Sequence, residues 1–287
     1  MQEKKRGRTH SRWLLPAALV LAGAAWFENF TLSTSTVTAA SAALPEAFSG
    51  LRIVQISDLH GRRFDAESRY LLELVRLQSP DLIALTGDLA DEFTDFSMLP
   101  PLLDGLTALA PTFYVTGNHE WVLSREKREA LFSMLDAAGV VRLQNEYRLL
   151  KKGRASIVLA GVDDPNGPYD QKRPAQLVRE IRQSWGRDAY ILMLSHRNDE
   201  LDLWANMGVQ TVLCGHGHGG IVRLPFVGAV FGTHLDLFPD YTAGLYRKGQ
   251  TSMIVSRGLG GSRKLPLRIG NRPEIVTVIL KAESGKV

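Results

Sequence analysis

The chain has 287 residues, 45% of them hydrophobic, enough to build one large α/β domain or two small ones with ample core. Its single cysteine, Cys214, excludes an intrachain disulfide framework and a cysteine-based zinc site. The net charge of +4 is accounted for by residues 1–12, where Lys4, Lys5, Arg6, Arg8 and Arg12 face Glu3 (five minus one), so the body is formally neutral and lacks the clustered basic charge of a nucleic-acid binder.

Behind that basic tail, Trp13 to Phe27 is free of charge, and the run to Phe30 makes eighteen residues with Glu28 and Asn29 near its far end. A spanning helix needs about 20 residues. An uncleaved membrane anchor over residues 13–30 is preferred to a signal peptide, because the cleavage-like Ala40-Ser41-Ala42 lies too far downstream of the apolar run. The positive-inside rule then keeps residues 1–12 in the cytoplasm and the body on the extracytoplasmic side of a bacterial cell membrane. Residues 31–50 read as a linker or a first strand, with Thr36-Val37-Thr38 leaning toward strand.

Leu51 to Ser57 alternates apolar and polar residues and predicts a strand that ends in Asp58-Leu59-His60. Taken alone, Asp58 is better explained as the N-cap of a following helix, and a helical period runs from Glu67 to Leu77. Asp81 to Thr86 is a nearly continuous apolar strand, of the kind parallel sheets use, and leads into Gly87-Asp88-Leu89-Ala90-Asp91. A helix over Leu99 to Ala110 precedes a third strand, Pro111 to Thr116, which ends in Gly117-Asn118-His119-Glu120. Units of this βαβ kind place their loops at the carboxyl edge of one sheet, where α/β folds bind ligands. Capping of three helices does not explain the succession Asp-x-His, Gly-Asp, Asn-His.

Further along, the strand Ala189 to Leu194 is followed by an isolated His196. The apolar run Val209 to Leu213 leads into Cys214-Gly215-His216-Gly217-His218-Gly219-Gly220, where glycines let two imidazoles point at one place. In this order, Asp58-x-His60, Gly87-Asp88-x-x-Asp91, Gly117-Asn118-His119-Glu120, His196 and Gly215-His216-x-His218 resemble the calcineurin-like metallophosphoesterase superfamily. The run Gly219 to Pro225 and the tail from Val255 to Ile275 are similar to its membrane-associated bacterial branch, which includes YkuE-like phosphoesterases and LpxG-like UDP-2,3-diacylglucosamine pyrophosphatases.

The resemblance implies a four-layer α/β/β/α sandwich over residues 51–287 and two divalent metal ions bridged by Asp88. One metal would take Asp58, His60, Asp88 and His218; the other would take Asp88, Asn118, His196 and His216. His119 would be the catalytic group beside the phosphoryl or leaving oxygen. Oxygen and nitrogen ligands without thiolate suit Mn, Fe or Zn. Two departures, Arg197-Asn198 after His196 and Ile221 after Gly220, lie outside the ligands and bear on substrate or loop shape. The implied activity is hydrolysis of a phosphodiester or pyrophosphate, with a membrane lipid or lipid-linked phosphate as substrate and no nucleic acid. A nuclease and a non-catalytic scaffold of the same fold are the rivals.

Four other features are read without metal. Asp163-Asp164-Pro165 is a turn, Cys214 is core filler, and His10 and His234 are solvated. Arg257, Arg263, Lys264, Arg268 and Arg272 form a solvated edge, with a phosphate-facing rim as the alternative.

Overall fold

The computed structural model of the protein describes residues 11–233, 235–261 and 268–283; His10, His234, Arg263 and Lys264 lie outside them. After an N-terminal helix, α1 (Ser11–Phe30), the chain lays down β1 (Ser33–Ser41), β2 (Arg52–Ile56), β3 (Leu82–Thr86), β4 (Thr112–Val115) and β5 (Val141–Arg142). Helices α2 (Arg69–Leu77), α3 (Leu99–Leu109), α4 (Asn118–Val122) and α5 (Arg125–Ala137) connect them. It then builds a second sheet from β6 (Glu146–Lys152), β7 (Ala155–Gly161), β8 (Ile191–Leu194) and β9 (Thr211–Cys214), with α6 (Pro174–Trp185) and α7 (Leu201–Asn206) as crossovers. A hairpin of β10 (Val222–Leu224) and β11 (Gly228–Phe231) follows. The second sheet is completed by β12 (Gly244–Lys248) and β13 (Thr251–Val255), and β14 (Glu274–Ala282) returns to the first.

The two six-stranded sheets have the orders β1-β14-β2-β3-β4-β5 and β12-β13-β9-β8-β7-β6. Strands β2 to β5 run parallel, as do β7, β8, β9 and β13. Alternate side chains decide the layers, because successive residues of a strand face opposite sides. Ile53, Ala84, Val276 and Val278 of the first sheet pack with Ile157, Leu192, Leu213 and Ile254 of the second. Val54, Ile83 and Leu85 instead face Leu71, Leu102 and Leu135 of the helices. On the far side, Val158, Ile191 and Val212 meet Leu177, Ile181 and Trp204. Helices, sheet, sheet, helices is the resulting order, and it explains why the central strands are apolar on both faces.

Residues 33–41, open in the sequence between linker and strand, pair along their whole length with β14. The second helix begins at Arg69 rather than Glu67, since the Asp65 carboxylate collects the backbone N–H groups of Glu67, Arg69 and Tyr70 ahead of its first turn. Cys214 is the last residue of β9 and fully buried.

A helix does form over Ser11–Phe30, but among the described residues no helix is long and apolar enough to cross a membrane. The spanning anchor expected over residues 13–30 is therefore not supported. The last turn of α1 is docked through a polar group: Asn29 is buried and exchanges hydrogen bonds with the backbone of Arg268. Two residues, Thr31 and Leu32, separate the end of the helix at Phe30 from the start of β1 at Ser33.

Candidate metal centre

Because β2, β3 and β4 run parallel in one sheet and β8 and β9 in the other, the loops at their carboxyl ends meet at one edge of the sandwich. Those loops carry Asp58, His60, Asp88, Asn118, His119, His196, His216 and His218, and the fold brings all eight together. Nε2 of His60 lies 3.4 Å from Nε2 of His218 and 3.6 Å from Oδ2 of Asp88. Oδ1 of Asp58 lies 3.6 Å from Nε2 of His218. On the other side, Nε2 of His196 is 3.2 Å from Asp88 Oδ2, 3.2 Å from Asn118 Oδ1 and 3.2 Å from His216 Nδ1. Within each group, Asp58–His60–Asp88–His218 and Asp88–His196–His216, the potential ligand atoms lie within 4.8 Å of one another. The same oxygen of Asp88 faces both groups.

Backbone shape makes this convergence possible. Asp58, His60, Asp88, His216 and His218 all have φ between 49° and 67°, in the left-handed region. Such residues cost about 1–3 kcal/mol each and persist where the surrounding structure holds them. Gly87, at φ 88°, has no room for a side chain: a Cβ there would sit 2.6 Å from both the Gly117 nitrogen and Nδ1 of His196. The close approach of three ligand loops thus depends on that glycine.

Neighbouring groups aim the rings. Nδ1 of His196 lies 2.8 Å from the Thr86 carbonyl, which places a proton there and leaves Nε2 facing the cluster. Nδ1 of His60 is 3.3 Å from Oδ2 of Asp91, with the same effect. Charge is divided between the rings. Burial opposes a charge on His196, but the Asp88 carboxylate outweighs it and pushes the imidazole up to about 10. Burial likewise opposes charge on His60, yet the Asp91 hydrogen bond and then Asp88 and Asp58 raise its pKa. Burial, reinforced by His196 and Arg197, pushes His216 down to about 3. His218 is driven well below its ordinary value by burial and by His60 and Arg268. Asp88 is held far below the usual carboxylate range: burial works against this, but His196 and then His60 and His119 prevail. The Asp58, Asp88 and Asp91 carboxylates thus favour positive charge at the cluster, which is the electrostatic character of a cation site.

A family model described as calcineurin-like phosphoesterase matches residues 51–220. The chain belongs to that family. This phosphoesterase is 30% identical over 267 residues to the uncharacterized metallophosphoesterase YkuE of Bacillus subtilis (strain 168), covering 90% of this chain and 89% of the other. It is 31% identical over 234 residues to the phosphodiesterase YaeI of Escherichia coli (strain K12), covering 80% and 82%. An uncharacterized metallophosphoesterase of Aquifex aeolicus (strain VF5) matches at 28% identity over 93% of this chain and 99% of the other. The phosphoesterase is a metal-dependent phosphoester hydrolase, and its Asp and His clusters supply donor groups that could hold a divalent metal.

Several residues around the site escaped the sequence reading. The carboxylate of fully buried Glu120 accepts backbone hydrogen bonds from Gly117, Asp88 and Leu89, tying two ligand loops together. Asp163 and Asp164 do more than make a turn. Asp163 accepts from the Thr116 hydroxyl at 2.7 Å, and Asp164 holds Arg197 through Nε at 2.6 Å and Nη2 at 3.0 Å. That fork sets Arg197 Nη1 3.1 Å from His216 Nε2. The solvated edge expected of the late arginines is corrected as well. Arg268 is 3% exposed and donates to the carbonyls of His218, Asn271, Arg257, Gly258 and Gly260, bracing the His218 loop. Arg257 pairs with Glu274 at 3.0 Å, and Arg272 lies over the Phe27 ring at 4.4 Å. A basic spacing cannot reveal burial; only an adjacent acid such as Asp91, three residues after Asp88, was a readable signal.

Proposed function

We propose that this phosphoesterase hydrolyses a phosphodiester or pyrophosphate bond in a lipid-linked or membrane-surface substrate, with two divalent cations at the cluster. Asp58, His60, Asp88 and His218 would hold one, and Asp88, Asn118, His196 and His216 the other. The observation behind this reading is that Asp88 Oδ2 lies 3.6 Å from His60 Nε2 and 3.2 Å from His196 Nε2, on the seam between the two ligand groups. When bound, such a pair neutralises phosphoryl oxygens and lowers the pKa of water enough for attack at neutral pH. The donor set suits Mn, Fe or Zn.

The protein's own groups do the rest. His119 donates its backbone N–H to Asp88 Oδ1 at 2.8 Å, and its ring centroid lies 4.7 Å from that of His60. That puts an imidazole beside the cluster, suited to deliver a proton to the leaving oxygen. Glu120, Asp91 and the Thr86 carbonyl keep the ligands in register.

Surface chemistry supports the proposed substrate class. A formally neutral body has no basic track for a polynucleotide. In contrast, Trp26 and Phe30 stand more than half exposed on α1 and line a cleft that also contains His60. Exposed aromatic rings of that kind suit an enzyme resting on a bilayer surface, and this requires no crossing helix. A UDP-2,3-diacylglucosamine-type pyrophosphatase is one member of the class.

The test pairs elemental analysis with turnover. Wild-type protein should carry transition metal and hydrolyse a chromogenic phosphodiester, and Asp88→Asn should lose metal and activity together. A panel of lipid-linked phosphodiester in vesicles, nucleotide-sugar lipid and DNA should show preference for the lipids. Metal-free wild-type protein that manganese fails to activate overturns the reading.

A further inference from the structure

A cleft of about 1070 Å³ lies between α1 and the metal-ligand loops. Its inner end is formed by His60 and Asp91, the ligand and its partner at the edge of the cluster. Its long wall is α1, through Ala22, Ala25, Trp26 and Phe30, and Phe93 stands opposite. We infer that this cleft is a subsite for the hydrocarbon chain of an amphiphilic phosphodiester, whose phosphate sits at the cluster. The inference rests on the phosphoesterase reading above and adds where the apolar part of the substrate goes.

Three observations support it. The first is continuity: His60 belongs to the cluster and to the cleft, and its partner Asp91 lines the cleft beside it, so a molecule at one reaches directly into the other. The second is how the wall is held. The buried side chain of Asn29 accepts from the Arg268 N–H at 2.9 Å and donates to its carbonyl at 3.1 Å. The Arg62 guanidinium donates to the Asn29 carbonyl and lies 5.5 Å from the Phe30 ring centroid. Arg268 in turn donates to the carbonyl of His218, so the helix that forms the wall is braced on a metal-ligand loop. The third is the distribution of polarity. His60 and Asp91 stand at the cluster end, whereas the α1 wall offers alanines and two aromatic rings stacked at 6.2 Å, with Arg62 held against Asn29 and Phe30 and Arg63 paired with Asp95.

That gradient matches one anionic head and one apolar tail. A peptide would need polar partners along its whole length, and a polynucleotide would need cations along it. Trp26, Phe30 and Phe93 are 60%, 57% and 78% exposed without an occupant. Large rings grouped around a cleft in this way mark a ligand-binding groove.

The test uses full-length, manganese-loaded protein and p-nitrophenyl alkyl phosphodiesters from methyl to octyl, below their micelle concentration so that no surface contributes. We expect kcat/KM to rise about 2–4-fold per added methylene over part of the series. Trp26→Ser, and independently Ala22→Trp, which fills the cleft from the same wall, should flatten the octyl-to-methyl ratio measured within each variant. In chelator-treated protein, octyl phosphate should bind with a negative heat-capacity change, and Ala22→Trp should abolish it. A ratio that is flat in wild type, or unchanged in both variants, overturns the subsite while hydrolysis of the methyl ester upholds the phosphoesterase reading. Failure to hydrolyse every ester overturns that reading and the subsite with it.

Discussion

The carboxylate of Glu120 accepts a hydrogen bond from the backbone N–H of Asp88 at 3.0 Å, although 32 residues separate them. It also accepts from Leu89 at 2.7 Å and Gly117 at 2.7 Å. Glu120 is therefore the clasp between the loop that supplies the shared oxygen and the loop that supplies Asn118. With Ala90 at 3.3 Å the carboxylate serves four backbone donors, and replacing Glu120 by alanine leaves these four buried N–H groups without that acceptor, at about 1–3 kcal/mol each. Glu120→Ala should lower stability by about 3 kcal/mol or more and reduce metal stoichiometry in parallel, as read by denaturant melts and elemental analysis. Glu120→Gln, which keeps one acceptor oxygen, should lose less of both. A well-folded Glu120→Ala with full metal content would show that the clasp is dispensable.

His119 touches the site through its ring and its N–H but is outside the two ligand groups. His119→Ala should hold its metal and lose about 10²–10⁴-fold in turnover. Metal content equal to that of His216→Ala would instead make His119 a ligand.

Arg197 is anchored to buried Asp164 by a two-point fork and set 3.1 Å from His216 Nε2. Were His216 to hold a cation through Nδ1, its ring proton would lie on Nε2 and oppose the arginine N–H, so that the Nη1 edge would be available to an anionic phosphoryl group. Arg197→Ala should cost about 10–100-fold in kcat/KM. Arg197→Lys should recover little, because an ammonium cannot reproduce the fork. Steady-state kinetics on a small phosphodiester distinguishes these outcomes, and full rescue by lysine would reduce the role to bare charge.

Glu200 precedes α7 with no place in the cluster. Burial, reinforced by Asp199, pushes its carboxyl up from an ordinary 4.5 to about 7. An acid raised in the folded state contributes its stability in full below pH 4.5, where both states hold the proton, and loses it as pH climbs through 7. Glu200→Gln should match wild type in thermal midpoint at pH 4.5 and exceed it by a few degrees at pH 8. An equal gap at both pH values would place the effect in packing rather than titration.

The ligands were legible one by one because each follows its own strand. Leu82 to Thr86 is apolar enough to be buried on both faces, so the Gly87-Asp88 that ends it must sit at the rim. The same local logic placed Asp58, Asn118, His196 and His216, and the spacing of these motifs was enough to place the chain in its family. The N-terminal run read as a helix, and its apolar character was plain; its docking was not, since Asn29 meets Arg268 only through a contact 239 residues long. Nor could a linear pattern show that Asp58, His60, Asp88, His216 and His218 share left-handed backbone, or that Asp164 reaches Arg197 and Glu120 reaches Asp88. Local sequence determines which groups arrive at a strand end, because burial periodicity is a property of neighbours in the chain. The order of strands across two sheets determines which of those groups face one another, and that is a property of the whole packed core.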